Sequence, residues 1–319
     1  MNTINIGKLW KKLLATLIIV LLIMAVIIFS LDAAKIWNEF TKLSIYTLMS
    51  GAFFMLLLYS IRYLKWQLFL RSLGVRVGII STMPIYMAGI GMGLTPGKVG
   101  EVIKSYVLEQ EKGVSFSLTA STITAERLTG VLGCFILCVV ALWHLGLANL
   151  FNYAVIVILA ATILGMAIIK SKYMMRLVNH ILANQYIVKY RDSLLRFYNA
   201  TLKLLGVKVL LQGIAISTCY WFMECMIFYS LLSGAGIDIT LTKSVAILTA
   251  ASIGGAITML PGSIGALEGG LVGILVYEGV ILETATCVVL SHRVFAMWIP
   301  LFVGIFILIV RYRKLIFGR

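Results

Sequence analysis

The chain has 319 residues, 61% of them apolar and 12% charged, with a mean hydropathy of +1.03. Water-soluble domains hold about 45–50% apolar residues, so this composition excludes one and describes an integral membrane protein. Lys and Arg number 27 against 12 Asp and Glu, a net charge of +15, yet the excess collects at the ends of apolar runs, where a membrane protein places it, rather than in a nucleic-acid patch.

The apolar runs are about 20 residues long and lack alternation at every second position, which predicts helices and not a closed barrel. The first, over 13–31, follows Lys8, Lys11 and Lys12 as a secretory signal would, but it is too long for such a signal and has no small-residue cleavage site, so a retained helix is expected. Then come a span over 43–61, a broken segment over 79–108, and spans over 118–145 and 151–169. A basic connector over 170–206 interleaves residues such as Ile181, Leu194, Leu195, Tyr198 and Leu202 with Lys and Arg, the pattern of an amphipathic helix on the inner leaflet. A span over 207–232, a second broken segment over 244–278 and a last span over 285–310 complete the chain.

Each broken segment is interrupted by Pro-Gly-x-x-Gly, at Pro96, Gly97 and Gly100 and again at Pro261, Gly262 and Gly265. About 16 apolar residues precede each break and about a dozen follow, fewer than the roughly 20 that a crossing needs, so two re-entrant helical hairpins are expected. With the N-terminus in the cytoplasm, 20 of the 27 cations fall in cytoplasmic segments, among them Arg62, Lys65, Arg71, Arg76 and Lys112. Three full spans then separate the hairpins, so one opens from each side. The expected architecture is all-α and polytopic. It has about six full transmembrane helices, two re-entrant hairpins in inverted repeats over 43–145 and 207–310, and both termini in the cytoplasm.

Four cations and four acids remain inside the spans: Lys98, Lys104, Arg127 and Arg293, with Glu101, Glu126, Glu224 and Glu268. A charge at the bilayer centre costs about 2.5–3.5 kcal/mol on insertion scales, so these groups should face protein or a watery cavity. After each Pro-Gly the helix begins with unpaired N–H groups, which favour an anion; Lys98 adds charge at the first and Ser263 a hydroxyl at the second. Glu101 and Lys104 share one helical face. Neighbours on a helix point about 100° apart, so Glu126 and Arg127 should meet different partners; Arg127 is expected to pair with Glu101 or Glu268, and Arg293 with the remaining acid.

Other features read as structural. The five cysteines have no metal spacing and are expected as buried free thiols, Met87, Gly89, Gly91, Met92 and Gly93 as a close-packed helix face, and His292 as an interfacial histidine. Trp10, Trp37, Trp66 and Trp143 should form an interfacial belt. No cofactor or metal is implied.

The ordered set Arg62-Tyr63-Leu64-Lys65-Trp66, Thr95-Pro96-Gly97-Lys98-Val99-Gly100-Glu101 with Lys104, Glu126-Arg127, Pro261-Gly262-Ser263-Ile264-Gly265 with Glu268, and Arg293 with Pro300 resembles the flippase-like membrane domain of lysyl-phosphatidylglycerol synthases and its stand-alone relatives. The resemblance covers nearly the whole chain. It implies a multi-pass protein of the cell membrane that moves lipids or lipid-linked glycans between leaflets, with both hairpins lining the path. Lys65 and Lys104 stand where that family usually has Arg, and Leu267 where it often has Arg. The chain ends nine residues after its last expected span, so lysyl transfer is not expected of it.

The partners implied are lipids with anionic headgroups, with a second copy or envelope-biogenesis proteins left open. A soluble anion is an alternative cargo. Two alternatives to a transporter are an embedded enzyme, for which no H-E-x-x-H, G-x-S-x-G or intramembrane aspartate pair stands in the sequence, and an accessory subunit of an envelope pathway.

Overall fold

The computed structural model describes residues 6–30, 32–147, 164–165, 167–169, 171, 173–174, 176, 190–258 and 260–313; for residues 6, 8–9, 23–30 and 96–98 only the backbone is described. The expected span at 151–169 and the connector before residue 190 therefore lie mostly outside the described residues. Twelve helices are described, with no strand among the described residues. They are α1 (Ile6–Ser30), α2 (Ala33–Lys42), α3 (Ile45–Ser72), α4 (Ile79–Gly91), α5 (Ile103–Lys112), α6 (Phe116–His144), α7 (Arg191–Leu204), α8 (Val207–Gly234), α9 (Leu241–Ile257), α10 (Ala266–Tyr277), α11 (Leu282–Arg293) and α12 (Ile299–Arg311). 3₁₀ turns at Pro96–Val102 and Pro261–Ser263 interrupt the two hairpins, and a π-helical stretch, Val294–Trp298, joins α11 to α12.

Four helical stretches among the described residues are long and apolar enough to cross a membrane: Ile45–Ser72, Phe116–His144, Val207–Gly234 and Leu282–Arg311. Their outward faces carry large apolar side chains, such as Phe53, Leu56 and Leu64 on α3 and Phe306 and Val310 on α12. In water these would form an apolar patch far beyond what a soluble monomer exposes; in a bilayer they meet lipid tails. The hairpin arms are shorter. With 13 residues in α4 and 17 in α9, they rise about 20 and 25 Å at 1.5 Å per residue, short of a 30 Å core.

Two corrections to the sequence reading concern boundaries. The second span continues to Ser72, so Arg62 and Lys65 belong to a membrane-crossing helix and not to a cytoplasmic loop. The expected end at 61 followed the first cation, but Leu64, Trp66, Phe69 and Leu70 keep the helix apolar beyond it. Between α1 and α3 stands the unexpected α2, started by the Asp32 carboxylate, which accepts the Lys35 N–H. It docks through buried Ile36 while Trp37 stays exposed, the division of an interfacial helix.

Helices α3–α6 and α8–α12 pack in an exchangeable pattern. α3 lies along α8; α4 packs on α12 as α9 packs on α6; α3 touches α6 as α8 touches α11. Where α4 crosses α12 the backbones meet at Gly91 and Gly304, and a Cβ on Gly91 would stand 2.4 Å from the Gly304 carbonyl carbon. The glycine-rich face of α4 is thus a helix-packing face.

The π-helical stretch has a local cause. Pro300 has no N–H to give to the carbonyl four residues earlier, and that carbonyl, Ala296 O, instead accepts the Tyr59 hydroxyl of α3 at 2.8 Å. A proline in one repeat thereby ties it to a tyrosine in the other. The tryptophans divide: Trp37 and Trp143 are exposed as a belt requires, whereas Trp66 is buried between Tyr63 and Tyr86. Cys219 is exposed, unlike the other four cysteines, which are buried.

Candidate functional site

The two Pro-Gly breaks meet. The 3₁₀ turns touch, and Leu94, just before the first break, lies so close to Gly262 that a Cβ there would stand 3.3 Å from Leu94 Cδ1. Leu94 and Ile264 are buried in one apolar cluster with Met92 and Ile103. Charged groups flank this contact on both sides.

Identical punctuation folds in two ways. The first break winds as a continuous 3₁₀ turn into α5, and the Gly100 N–H is taken by Thr95 Oγ1 at 2.7 Å. The second runs through a left-handed Gly262 and a left-handed Ser263, then an extended Ile264, before Gly265 at φ 84° opens α10. A non-glycine residue at positive φ is strained and persists only where its surroundings impose it. Here the surroundings are explicit, because Arg293 donates from Nη2 to the Gly262 carbonyl at 2.6 Å.

The same guanidinium donates from Nε to Glu268 Oε1 at 2.6 Å, and Glu268 Oε2 accepts the Gly265 N–H at 2.8 Å. Arg293 and Glu268 are both buried. The start of α10, expected to offer free N–H groups to an anion, is capped by the chain's own carboxylate. His292, the preceding residue, is fully buried with its ring edge-on to Phe228, and neither ring nitrogen has a hydrogen-bond partner among the described residues. It is a core residue and not the interfacial histidine expected.

Around the first break the ion pairs run with reversed polarity. The hairpin supplies the cation, Lys104, which donates to Glu126 of α6 at 2.7 Å and lies 3.8 Å from Glu101. Its aliphatic stem lies against Gly89, where a Cβ would come within 2.2 Å of Lys104 Cγ. Its ammonium faces the rings of Tyr86 and Trp66 at 5.1 and 5.9 Å. Glu126 and Arg127 do diverge: Glu126 meets the hairpin and Arg127 points to an exposed face. Glu268 is engaged by Arg293, while Glu224 is half-buried on α8, one turn from Tyr220. The Pro96, Gly97 and Lys98 side chains lie outside those described, and Ser263 is half-buried beside Gly255.

Residues of α3 complete this half. Lys65 is buried and its three donors reach Ser217 Oγ at 2.9 Å, Glu126 O at 3.2 Å and Thr129 Oγ1 at 3.4 Å; its ammonium also faces the Tyr220 ring at 4.8 Å. Arg62, half-buried one turn earlier, lies over the rings of Tyr59 and Tyr220 at 5.2 and 5.6 Å. Both were assigned to a loop from sequence. Their three-residue spacing on one helix face, inside a run that stays apolar to Leu73, was the signal that they belong to the membrane.

The site thus has two clasped halves joined at the hairpin tips: Glu268 with Arg293, and Lys104 with Glu126 and Glu101, backed by Lys65 and Arg62. No group of three or more His, Cys, Asp or Glu among the described residues is placed to hold a metal. Comparison with known proteins agrees with the resemblance read from the sequence. The chain is 24% identical over 268 residues to a "UPF0104 membrane protein" of Methanothermobacter thermautotrophicus, covering 76% of this chain and 78% of that one. The family model described as the lysylphosphatidylglycerol synthase TM region matches residues 13–304, and the chain belongs to that family.

Proposed function

We propose that this chain is a lipid transporter of the flippase type, which carries a phosphate-bearing lipid or lipid-linked glycan between leaflets of the cell membrane. The observation that carries the reading is the meeting of two interrupted hairpins, neither with an arm long enough to cross, at a point flanked by buried charge. Transporters built from inverted repeats put their sites where interrupted helices meet near the bilayer midplane. A scaffold has no need of ionised groups at that depth, where each is costly.

In this reading the hairpins open to opposite sides, and the two clasps hold the path shut. Headgroup passage requires the Arg293–Glu268 and Lys104–Glu126 pairs to exchange an internal carboxylate for the anionic guest, while the acyl tails stay in lipid. Arg127, on an exposed face, meets the headgroup before it reaches the clasps. Membership of the lysylphosphatidylglycerol synthase TM-region family supports the lipid-pathway setting.

The test is reconstitution of the purified chain in liposomes carrying fluorescent anionic lipids, with transfer followed by quenching from outside. The wild type should transfer label and Lys104→Ala, Arg293→Ala and Glu268→Gln should slow it. Equal transfer by these variants sinks the site assignment. No transfer of any lipid by the wild type favours an accessory subunit.

A further inference from the structure

Three cations gather on the first-break side of the site, and their donors are not equally engaged. Lys104 is paired with Glu126 and close to Glu101. The three N–H groups of Lys65 are matched by three neutral oxygens. Arg62 differs: it carries five donors and a permanent charge, forms no ion pair among the described residues, and rests its guanidinium on the rings of Tyr59 and Tyr220. The residue as a whole is half-buried, and its guanidinium is also hydrogen-bonded to the Tyr59 hydroxyl.

Its position is also particular. Tyr59 is tied to Ala296 of the π-helical stretch and Tyr220 belongs to α8, while Tyr86 of α4 and Glu101 of the first break lie within electrostatic reach. Parts of both repeats converge on one guanidinium. The two rings hold the guanidinium by cation–π attraction, and its planar fork matches a planar pair of oxygens.

We propose that Arg62 is the oxyanion contact of this site, its guanidinium taking two oxygens of a phosphate group side by side, with Tyr59 and Tyr220 holding the fork. The recognised chemistry is a phosphate group, whether carried by a lipid headgroup or free in solution. The inference rests on the transport reading for its purpose but not for its test, because binding is measurable without transport.

The experiment measures binding to the purified full chain in detergent by tryptophan fluorescence and by ligand-induced thermal shift. Short-chain phosphatidic acid and inorganic phosphate are the probes. Arg62→Gln should weaken phosphatidic acid binding about ten- to hundredfold, the range of a lost charge-assisted hydrogen bond, and Arg62→Lys should fall between. Phosphatidic acid binding without inorganic phosphate binding supports a lipid source for the group, and binding of both supports a free oxyanion. Unchanged affinity in Arg62→Gln, or no binding of either phosphate probe by the wild type, overturns the proposal, as does wild-type affinity in Arg62→Lys if Arg62→Gln fails to fold. A merely structural clamp would lower the unfolding temperature of the variants and leave the ligand-induced shift intact. Arg62-dependent binding with no transport in liposomes would sink the transport reading and leave this one standing.

Discussion

Arg293 reaches back 25 residues to Glu268, Nε to Oε1 at 2.6 Å, and with its other arm holds the carbonyl of Gly262. One side chain on a crossing helix thus fixes both the left-handed turn of the second break and the acid that caps the helix after it. Removing either member of a buried pair leaves the other charged and unmatched, which costs about 3–5 kcal/mol. Arg293→Ala and Glu268→Ala should each lower the unfolding temperature sharply in detergent. The double variant Arg293→Met with Glu268→Leu should recover most of the loss, keeping a deficit of about 1 kcal/mol for the missing cap. Additive losses in the double variant would show that the two side chains act independently.

The Gly91–Gly304 crossing makes a contrasting prediction. A Cβ on Gly91 meets the backbone of the partner helix at 2.4 Å, whereas a Cβ on Gly273 meets nothing within 4 Å. Backbone cannot rotate away as a side chain can, so α4 and α12 must separate. Gly91→Ala should destabilise by about 1–3 kcal/mol or more, and Gly273→Ala should leave unfolding unchanged. Equal stability of the two variants would mean that α4 and α12 do not touch there.

How much of this was legible in the sequence depends on what each signal reports. Apolar length located the long helices, and the two Pro-Gly breaks marked where arms fall short of the membrane, because both are one-dimensional properties. Pairing was read in part: Arg293 was expected on Glu101 or Glu268 and takes Glu268, and Glu101 near Lys104 followed from helical spacing. What the sequence hid is three-dimensional. The two Pro-Gly-x-x-Gly breaks take different turns: the first winds as a 3₁₀ turn into α5, and the second passes through left-handed Gly262 and Ser263 with Arg293 on the Gly262 carbonyl. In the first repeat Lys104 of the hairpin meets Glu126 of α6, so the element that carries the positive charge is reversed relative to the second repeat. Arg62 and Lys65 were misplaced because charge was taken to end a span, although both find oxygens or aromatic rings within it.

His292 separates stability from function. It is fully buried, its ring faces Phe228, and both nitrogens lack hydrogen-bond partners among the described residues. A buried polar group left unmatched costs about 1–3 kcal/mol. His292→Leu should therefore be neutral or stabilising in thermal unfolding and should leave lipid transfer unaltered. A loss of transfer with stability intact would instead make His292 a proton-carrying group of the path.

At α2 a pH effect follows from one carboxylate. Glu39 is hydrogen-bonded by Lys42, which holds its carboxyl below the usual glutamate range, and by Thr284 Oγ1 of α11 at 3.2 Å. A depressed folded value gives stability that is present above the unfolded value and lost as pH falls through the folded one. The attachment of α2 should loosen only below about pH 4, seen as a change in Trp37 fluorescence. Glu39→Gln should remove that pH step and cost no more than about 1 kcal/mol, since the pair is at the surface. A step that persists in Glu39→Gln assigns it to another acid.

The opposed entry of the hairpins is open to direct measurement. Arms that rise about 20 and 25 Å and meet at their tips can span a bilayer only if their outer ends lie on opposite faces. The flanking charges differ in balance: Arg76 and Lys112 stand against Glu109 and Glu111 by the first hairpin, and Lys243 alone against Asp238, Glu278 and Glu283 by the second. Lys112 and Ile281 are both exposed at those outer ends, so cysteines there should react freely once the exposed Cys219 is replaced by serine. In intact cells a membrane-impermeant maleimide should label Ile281→Cys and spare Lys112→Cys until the membrane is opened. If both label from the same side, the hairpins enter together, both clasps face one compartment, and a path between leaflets cannot run through their tips.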